Sequence, residues 1–392
     1  MKHLSSGRQR AVFAILAGGA MTFLAGQNLT LPQPGDPLPG LTAAQTALFL
    51  EGKQDFEEME DVADGLGPAF NGTSCAGCHN LPSVGGSGNG NVIRAGVLNN
   101  GTYTEPAGGS LIHMFAIGDG KCQPRVPRNA NVMTRRIPTP LFGLGLIEAI
   151  PDEAIRALAG RPVTDGVNGR VALVTDPVSG LRRVGRFGWK AQQATILAFA
   201  GDAYRNEMGI TNDVFPSEAA TGFTAEQLAA CDAVADPEDK PDSVTGRRAI
   251  DRFTNFMSLL APPAPAGGLN SQLGAAVFQS VGCASCHLPQ LQTGPSPNPA
   301  LDRKPVNAFS DFLLHDIRTG DGIAQGGANP NEFRTPPLWG LRYRKMLLHD
   351  GRALSPAQAI DMHDGEARAT RDRFRRLPPE QRQALLGFLD NL

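Results

Sequence analysis

Two stretches of the 392-residue chain carry chemically capable residues at a fixed spacing: Cys75-Ala76-Gly77-Cys78-His79 and Cys283-Ala284-Ser285-Cys286-His287. Two thiols separated by two residues can hold a metal, cycle as a dithiol, or bond a porphyrin. A four-cysteine zinc site usually places its pairs about 15–20 residues apart, whereas more than half of this chain lies between them. A dithiol motif needs no histidine behind it, and both copies have one. Cys-x-x-Cys-His is the attachment pattern of a c-type haem, in which the sulfurs bond the vinyl groups and the imidazole fixes iron from the proximal side. The spacing predicts two covalently bound c-type haems: haem 1 on Cys75, Cys78 and His79, and haem 2 on Cys283, Cys286 and His287.

The task of a haem depends on its sixth position. Two protein ligands make an electron carrier, while an open position admits peroxide or another small ligand. For haem 2 the candidates are His363 and Met362, at the end of a short helix that Ser355 caps and Pro356 begins. A thioether there would raise the potential relative to an imidazole, and the residues alone do not separate the two from each other or from a surface histidine. For haem 1, the next histidine is His113, followed by Met114, in "SLIHMFAIG" (110–118). That period-2 run reads equally as strand. The loop "LPSVGGSGNGN" (81–91) offers no ligand, so the simpler expectation is an open iron. Downstream, Ile196, Phe199, Ala200 and Ala203 follow helical spacing, and Glu207 comes just past them. A carboxylate over an open haem would take a proton from bound peroxide and return it to the leaving oxygen. Taken alone, Glu207 reads as a solvated loop residue.

The elements that must position these residues come in two copies. "LTAAQTALFLEG" (41–52), with Ala44, Ala47 and Leu48 at helical spacing, precedes the first motif. "LNSQLGAAVFQS" (269–280), with Leu273, Ala276 and Val277, precedes the second, and the first copy adds an acidic insert at 55–65. "RRIPTPLFGLGL" (135–146) echoes "FRTPPLWGLRYR" (333–344), and the helix at 248–263 echoes that at 380–392. The Pro/Ala/Gly stretch 261–268 is a linker by composition. We expect a mainly α fold of two cytochrome c-like haem domains with loop-rich insertions, spanning 27–264 (haem 1) and 265–392 (haem 2). The 46 Gly and 31 Pro fall short of the roughly 25–30% that marks low-complexity disorder. They suit a fold packed around large cofactors.

Residues 1–26 read as a secretory signal: Lys2, Arg8 and Arg10 precede an apolar run at 11–25. That run is shorter than the roughly 20 residues a spanning helix needs, but its cleavage site is ill-defined, which leaves an uncleaved anchor open. The expected location is periplasmic. The formal charge is −2 with no basic stripe for nucleic acid. The acid excess lies in the first part of the chain and has the sign that steers a basic electron carrier, though a solvated surface explains it as well. Cys122 and Cys231 stand outside the motifs. In an oxidising compartment such a pair often forms a disulfide, but their spacing does not show whether they meet.

Taken jointly, "GPAFNGTSCAGCHNLPSVGG", "RRIPTPLFGLGLIEAIPD", "GRFGWKAQQATI", "NEMGIT", "SDFLLHDIRTGDG" and "LLHDGRALSPAQAIDMHDGEA" resemble the bacterial di-haem cytochrome c peroxidase superfamily. The closer resemblance is to its branch of di-haem oxidoreductases, also called thiol oxidoreductases. The resemblance implies that haem 1 is peroxidatic, with Glu207 above it, and that Trp189 lies between the haems as an electron relay; for Trp189 alone, core packing is the plainer reading. It also implies His363, not Met362, as the distal ligand of a low-potential bis-histidine haem 2. The family's calcium segment is replaced by "RKM" (344–346), so no calcium is expected. The loop histidine that caps the resting peroxidatic haem in relatives is missing, which favours a permanently open haem 1. Cys122 and Cys231 form no Cys-x-x-Cys, so thiol chemistry has no visible support. The implied activity is reduction of hydrogen peroxide with electrons from a small cytochrome c or cupredoxin. The rivals are a pure electron-transfer cytochrome, with His113 or Met114 on haem 1, and an oxidase of a protein or organic substrate.

Overall fold

Both Cys-x-x-Cys-His motifs stand behind helix pairs built to one plan. The computed structural model describes residues 31–392 apart from 233, 238, 239 and 268–270, so the expected signal at 1–26 lies outside the described residues. The helix Ala43–Glu57 starts at a capping box, in which Thr42 and Gln45 satisfy each other's backbone N–H groups. It packs on the helix Ala249–Leu259. The contact is close because residue 52 is glycine; a Cβ there would lie 2.1 Å from the Arg252 carbonyl oxygen. In the second copy Ser271–Val281 packs on Pro379–Leu389. There a Cβ on Gly274 would lie 2.3 Å from the Ala384 oxygen.

The buried faces are more aromatic than the spacing of small residues predicts. In the first helix Phe49, Gly52 and Phe56 face inward, while Ala44 and Ala47 are exposed and Leu48 is half-buried. In the second, Val277 is buried as expected, beside Gly274 and Phe278, with Leu273 and Ala276 outside. Phe49 and Phe56 pack on Phe256 with ring centroids 5.3 and 5.0 Å apart. Each motif then forms a single turn, closed by the His79 and His287 amides donating to the Cys75 and Cys283 carbonyls at 3.0 and 2.9 Å.

The mainly α expectation needs correction. The protein is about 30% helix and 14% strand, with several small antiparallel sheets, so it is mixed α/β. The insertions read as loops pair with one another. Asn100 and Gly101, at φ +49° and +79°, turn strand Val92–Asn99 into Thr102–Thr104. Two consecutive left-handed residues are what a two-residue hairpin needs, and Asn-Gly supplies them. Val132–Arg136 pairs with the other edge of Val92–Asn99. Arg94 pairs with Thr134 and Val92 with Arg136, which makes Arg94 and Arg136 diagonal neighbours on one face of this sheet. Cys122 and Cys231 form a disulfide, with Cα atoms 6.2 Å apart. Among the described residues no helix is long and apolar enough to cross a membrane.

Candidate haem sites

The first motif opens onto a cavity of about 1390 Å³, counting the part open to solvent. Cys75, Cys78 and His79 line it together with Asn71, Met114 and Glu207. The His79 Nδ1 donates to the Gly86 carbonyl at 3.1 Å, which leaves Nε2 as the lone-pair nitrogen. Burial lowers the His79 pKa and keeps the ring neutral.

Glu207 sits inside a π-helical turn, Tyr204–Met208, that prolongs the helix Ile196–Ala203, and not in a loop past it. Buried His113 donates from Nε2 to the Asn206 carbonyl at 2.7 Å. That contact caps one of the carbonyls that the end of the helix leaves without a partner of its own. Gly209 ends the turn at φ +73°, where a Cβ would lie 2.3 Å from the Gly67 oxygen. Single π turns of this kind recur at functional sites. Asn71 Nδ2 donates to Glu207 Oε2 at 2.8 Å, and Asn71 Oδ1 accepts from the Met114 amide at 3.1 Å. Burial raises the Glu207 pKa, and the Asn71 bond only partly opposes it. His113 therefore supports the Glu207 turn and does not line the cavity, whereas Met114 does.

The second cavity, about 1290 Å³ including its open part, brings together Cys283, Cys286, His287 and His363. His287 Nδ1 donates to the Phe309 carbonyl at 3.0 Å and His363 Nδ1 to the Ala359 carbonyl at 2.6 Å. Both rings thus keep Nε2 as an acceptor. Burial lowers the pKa of both, that of His287 to about 4. Met362 is 39% exposed and does not line the cavity.

His315, which no motif spacing singles out, also lines this cavity. Its Nε2 is 3.1 Å from Asp311 Oδ2 and its Nδ1 2.8 Å from Glu366 Oε2. Burial would lower its pKa, but the bond to Asp311, then those to Cys286 and Glu366, raise it to about 12. The ring is an imidazolium clamped by two carboxylates. Since the folded pKa exceeds the unfolded one, this contribution to stability is complete below about pH 6.5. It fades as pH rises toward 12. Replacing His315 by Leu leaves buried Asp311 with only half-exposed Arg161, 3.6 Å away, as a cationic partner, and should destabilise the protein by about 1–3 kcal/mol in denaturant unfolding; an unchanged midpoint would show that the clamp contributes nothing.

Trp189 lines both cavities. It is 7% exposed, and its Nε1 donates to the Ile137 carbonyl at 2.8 Å. Its ring stands edge-on to Phe333 and His349, each with centroids 6.4 Å away.

Buried cations test whether haem fits these cavities. Arg94 Nε and Arg136 Nη2 in the first, and Arg344 Nε in the second, are buried with no hydrogen-bond partner among the described residues. Arg334, in the second, gives its N–H groups to the Gly188 and Thr335 carbonyls. Burial lowers the pKa of Arg136, Arg334 and Arg344 to about 10. Unspent guanidinium donors in a low-dielectric site call for carboxylates from outside the chain. A haem carries two propionates as well as a broad apolar face. With thiols for its vinyl groups and lone-pair imidazoles for its iron, the residues fit the group. None of these arginines could have been singled out by spacing; they are brought in by strands and loops far apart in the chain.

Fold and cavities together define a di-haem oxidoreductase. The family described as "Di-haem oxidoreductase, putative peroxidase" matches residues 117–392, and the chain belongs to it. It is therefore an enzyme of this oxidoreductase type, with haem as its cofactor. No curated protein matches the chain. Among solved structures it is similar to hydrazine synthase of Kuenenia stuttgartiensis, at 15% identity over 98% of this chain and 100% of that one, TM-score 0.39. It is similar to the dihaem peroxidase BthA from Burkholderia thailandensis E264, at 14% identity over 88% and 86%, TM-score 0.40. A MauG-like protein associated with microbial copper homeostasis matches at 15% identity over 69% and 92%, TM-score 0.32.

Proposed function

We propose that the protein is a periplasmic peroxidase that reduces hydrogen peroxide at the first site with electrons received at the second. Its haems are held covalently, one by Cys75 and Cys78 with His79 on the iron. The other would be held by Cys283 and Cys286, with His287 and His363 as its iron ligands. The corresponding units are residues 27–264 and 265–392, and the donor is a small cytochrome c or cupredoxin. The observation that carries the reading is Glu207, half-buried in the wall of the cavity that holds Cys75, Cys78 and His79 and tethered there by Asn71.

Bound haem iron supplies the redox-active centre at which the O–O bond breaks, two electrons and two protons turning one peroxide into two waters. Asn71 holds one carboxylate oxygen of Glu207 and fixes the group in place. Glu207 then takes the proton of the nearer peroxide oxygen and gives it to the departing one. His363 and His287 occupy the second cavity with both Nε2 atoms unprotonated, which suits an electron-transfer site that excludes peroxide. Trp189, fixed by its bond to Ile137, fills the space between the cavities and provides a rigid aromatic path.

One observation favours a second reading. Met114 lines the first cavity, and a thioether on that iron would leave two six-coordinate electron carriers. Mixing the oxidised protein with hydrogen peroxide tests the proposal. A peroxidase responds with a changed Soret band, and an unaltered band would contradict it.

A further inference from the structure

Lys190, directly after Trp189, is a buried cation to which the chemistry above gives no task. Its side chain is 0% exposed. The Nζ lies 3.3 Å from Asp321 Oδ1 and donates to the Asn329 and Pro330 carbonyls at 3.1 and 3.3 Å. The second oxygen of Asp321 is taken by Arg136 Nε at 2.8 Å. Two positive charges thus share one negative charge in the interior. Burying a net charge is costly, and an apolar side chain of similar length is often at least as stable in such a place. Packing alone does not account for a lysine here.

Its position relative to the aromatic layer does. The Nζ stands 4.0 Å from the Phe333 ring centroid. His349 stacks on the same ring, with centroids 4.1 Å apart and planes at 15°, so the two occupy opposite faces. Trp189 meets the edges of Phe333 and His349. Burial lowers the Lys190 pKa to about 8 against the pull of Asp321, which still leaves it charged at neutral pH. Asp321 also stays charged: burial opposes ionisation, but Arg136 and Lys190 together hold its pKa below the ordinary carboxylate value. A fixed cation therefore sits in the layer that separates the two cavities.

We propose that Lys190 is the electrostatic control of the bridge. Its charge stabilises the reduced side of every redox couple around it, so it raises the potentials of Trp189 and of both flanking haems. Trp189 then passes electrons without resting in an oxidised state. The inference builds on the relay role proposed for Trp189, but its first test does not need peroxide.

The holoprotein, its Lys190→Met variant and its Lys190→Arg variant are titrated potentiometrically at pH 7. The Met variant, which keeps the stem and leaves Asp321 neutralised by Arg136, should shift both haem reduction equilibria toward the oxidised form by about tenfold. The Arg variant should stay near wild type. A side chain that merely pegs the Asn329 and Pro330 carbonyls would change folding stability and leave the potentials alone. Wild-type potentials in the Met variant overturn the inference. The second readout is rapid-freeze electron paramagnetic resonance after peroxide addition: Lys190 adjoins Trp189 in the chain and acts more strongly on that couple than on the haems, so the Met variant should show more tryptophan radical than wild type, and Trp189→Phe in that background should abolish it. A radical yield equal to wild type counts against Lys190. A wild-type protein inert to peroxide counts against the peroxidase proposal instead, and the titration still decides this one.

Discussion

Replacing Glu207 by Gln should slow the reaction with hydrogen peroxide by about 10²–10⁴-fold, the range for loss of a positioned acid/base. The substitution isolates the proton. Glutamine keeps the length of the side chain and the oxygen that accepts from Asn71 Nδ2, so the tether survives while the base is lost. The pH dependence supplies a second signature. Burial raises the Glu207 pKa, so the wild-type rate should climb with pH through a midpoint above the ordinary carboxylate range, and the Gln variant should lack that step. Stability runs the other way. A folded pKa above the unfolded one favours the protonated carboxyl in the native state, so this group's contribution falls as pH rises through that window. The Gln variant, always neutral, should lose the slope. A variant that reacts at the wild-type rate would remove Glu207 from the mechanism.

Replacing His363 by Gly should abolish the low-spin signal of haem 2 and leave haem 1 as it was. His363 lines the second cavity with its Nδ1 proton given to Ala359, and the Nε2 is the atom free to bind. Loss of a charge-donating imidazole should raise the potential of that haem, and added imidazole should restore both spectrum and potential. An unaltered spectrum would shift the assignment to Met362, against its exposed position.

The parts legible in the sequence are those set by local covalent chemistry. Cys75, Cys78, His79 and their counterparts need one turn of chain and a fixed order, so spacing alone displays them. His363 was legible as a histidine at a helix end, but its rank over Met362 depended on the family resemblance, and its side-chain direction appears only in three dimensions. For Glu207 the helical spacing points to a loop just past the helix, whereas it lies in the π turn that prolongs it. The π turn that carries it is supported by His113, remote in the chain, which the sequence offered instead as an iron ligand. His315 is legible only halfway: Asp311 is four residues back, yet Glu366 arrives from a distant segment. The sheets were missed for a similar reason. Asn100-Gly101 between Val97-Leu98 and Thr102-Tyr103 is a readable hairpin signal, but the pairing of Val132–Arg136 with Val92–Asn99 is a tertiary event. That pairing delivers Arg94 and Arg136, whose importance no spacing announces.

The central claim is that the two irons differ, one open at Glu207 and one closed by His287 and His363. Electron paramagnetic resonance of the oxidised holoprotein tests it most directly. The account predicts a high-spin signal from haem 1 beside a low-spin signal from haem 2, with the high-spin signal alone lost on adding hydrogen peroxide. Two low-spin signals that peroxide leaves unchanged would contradict it.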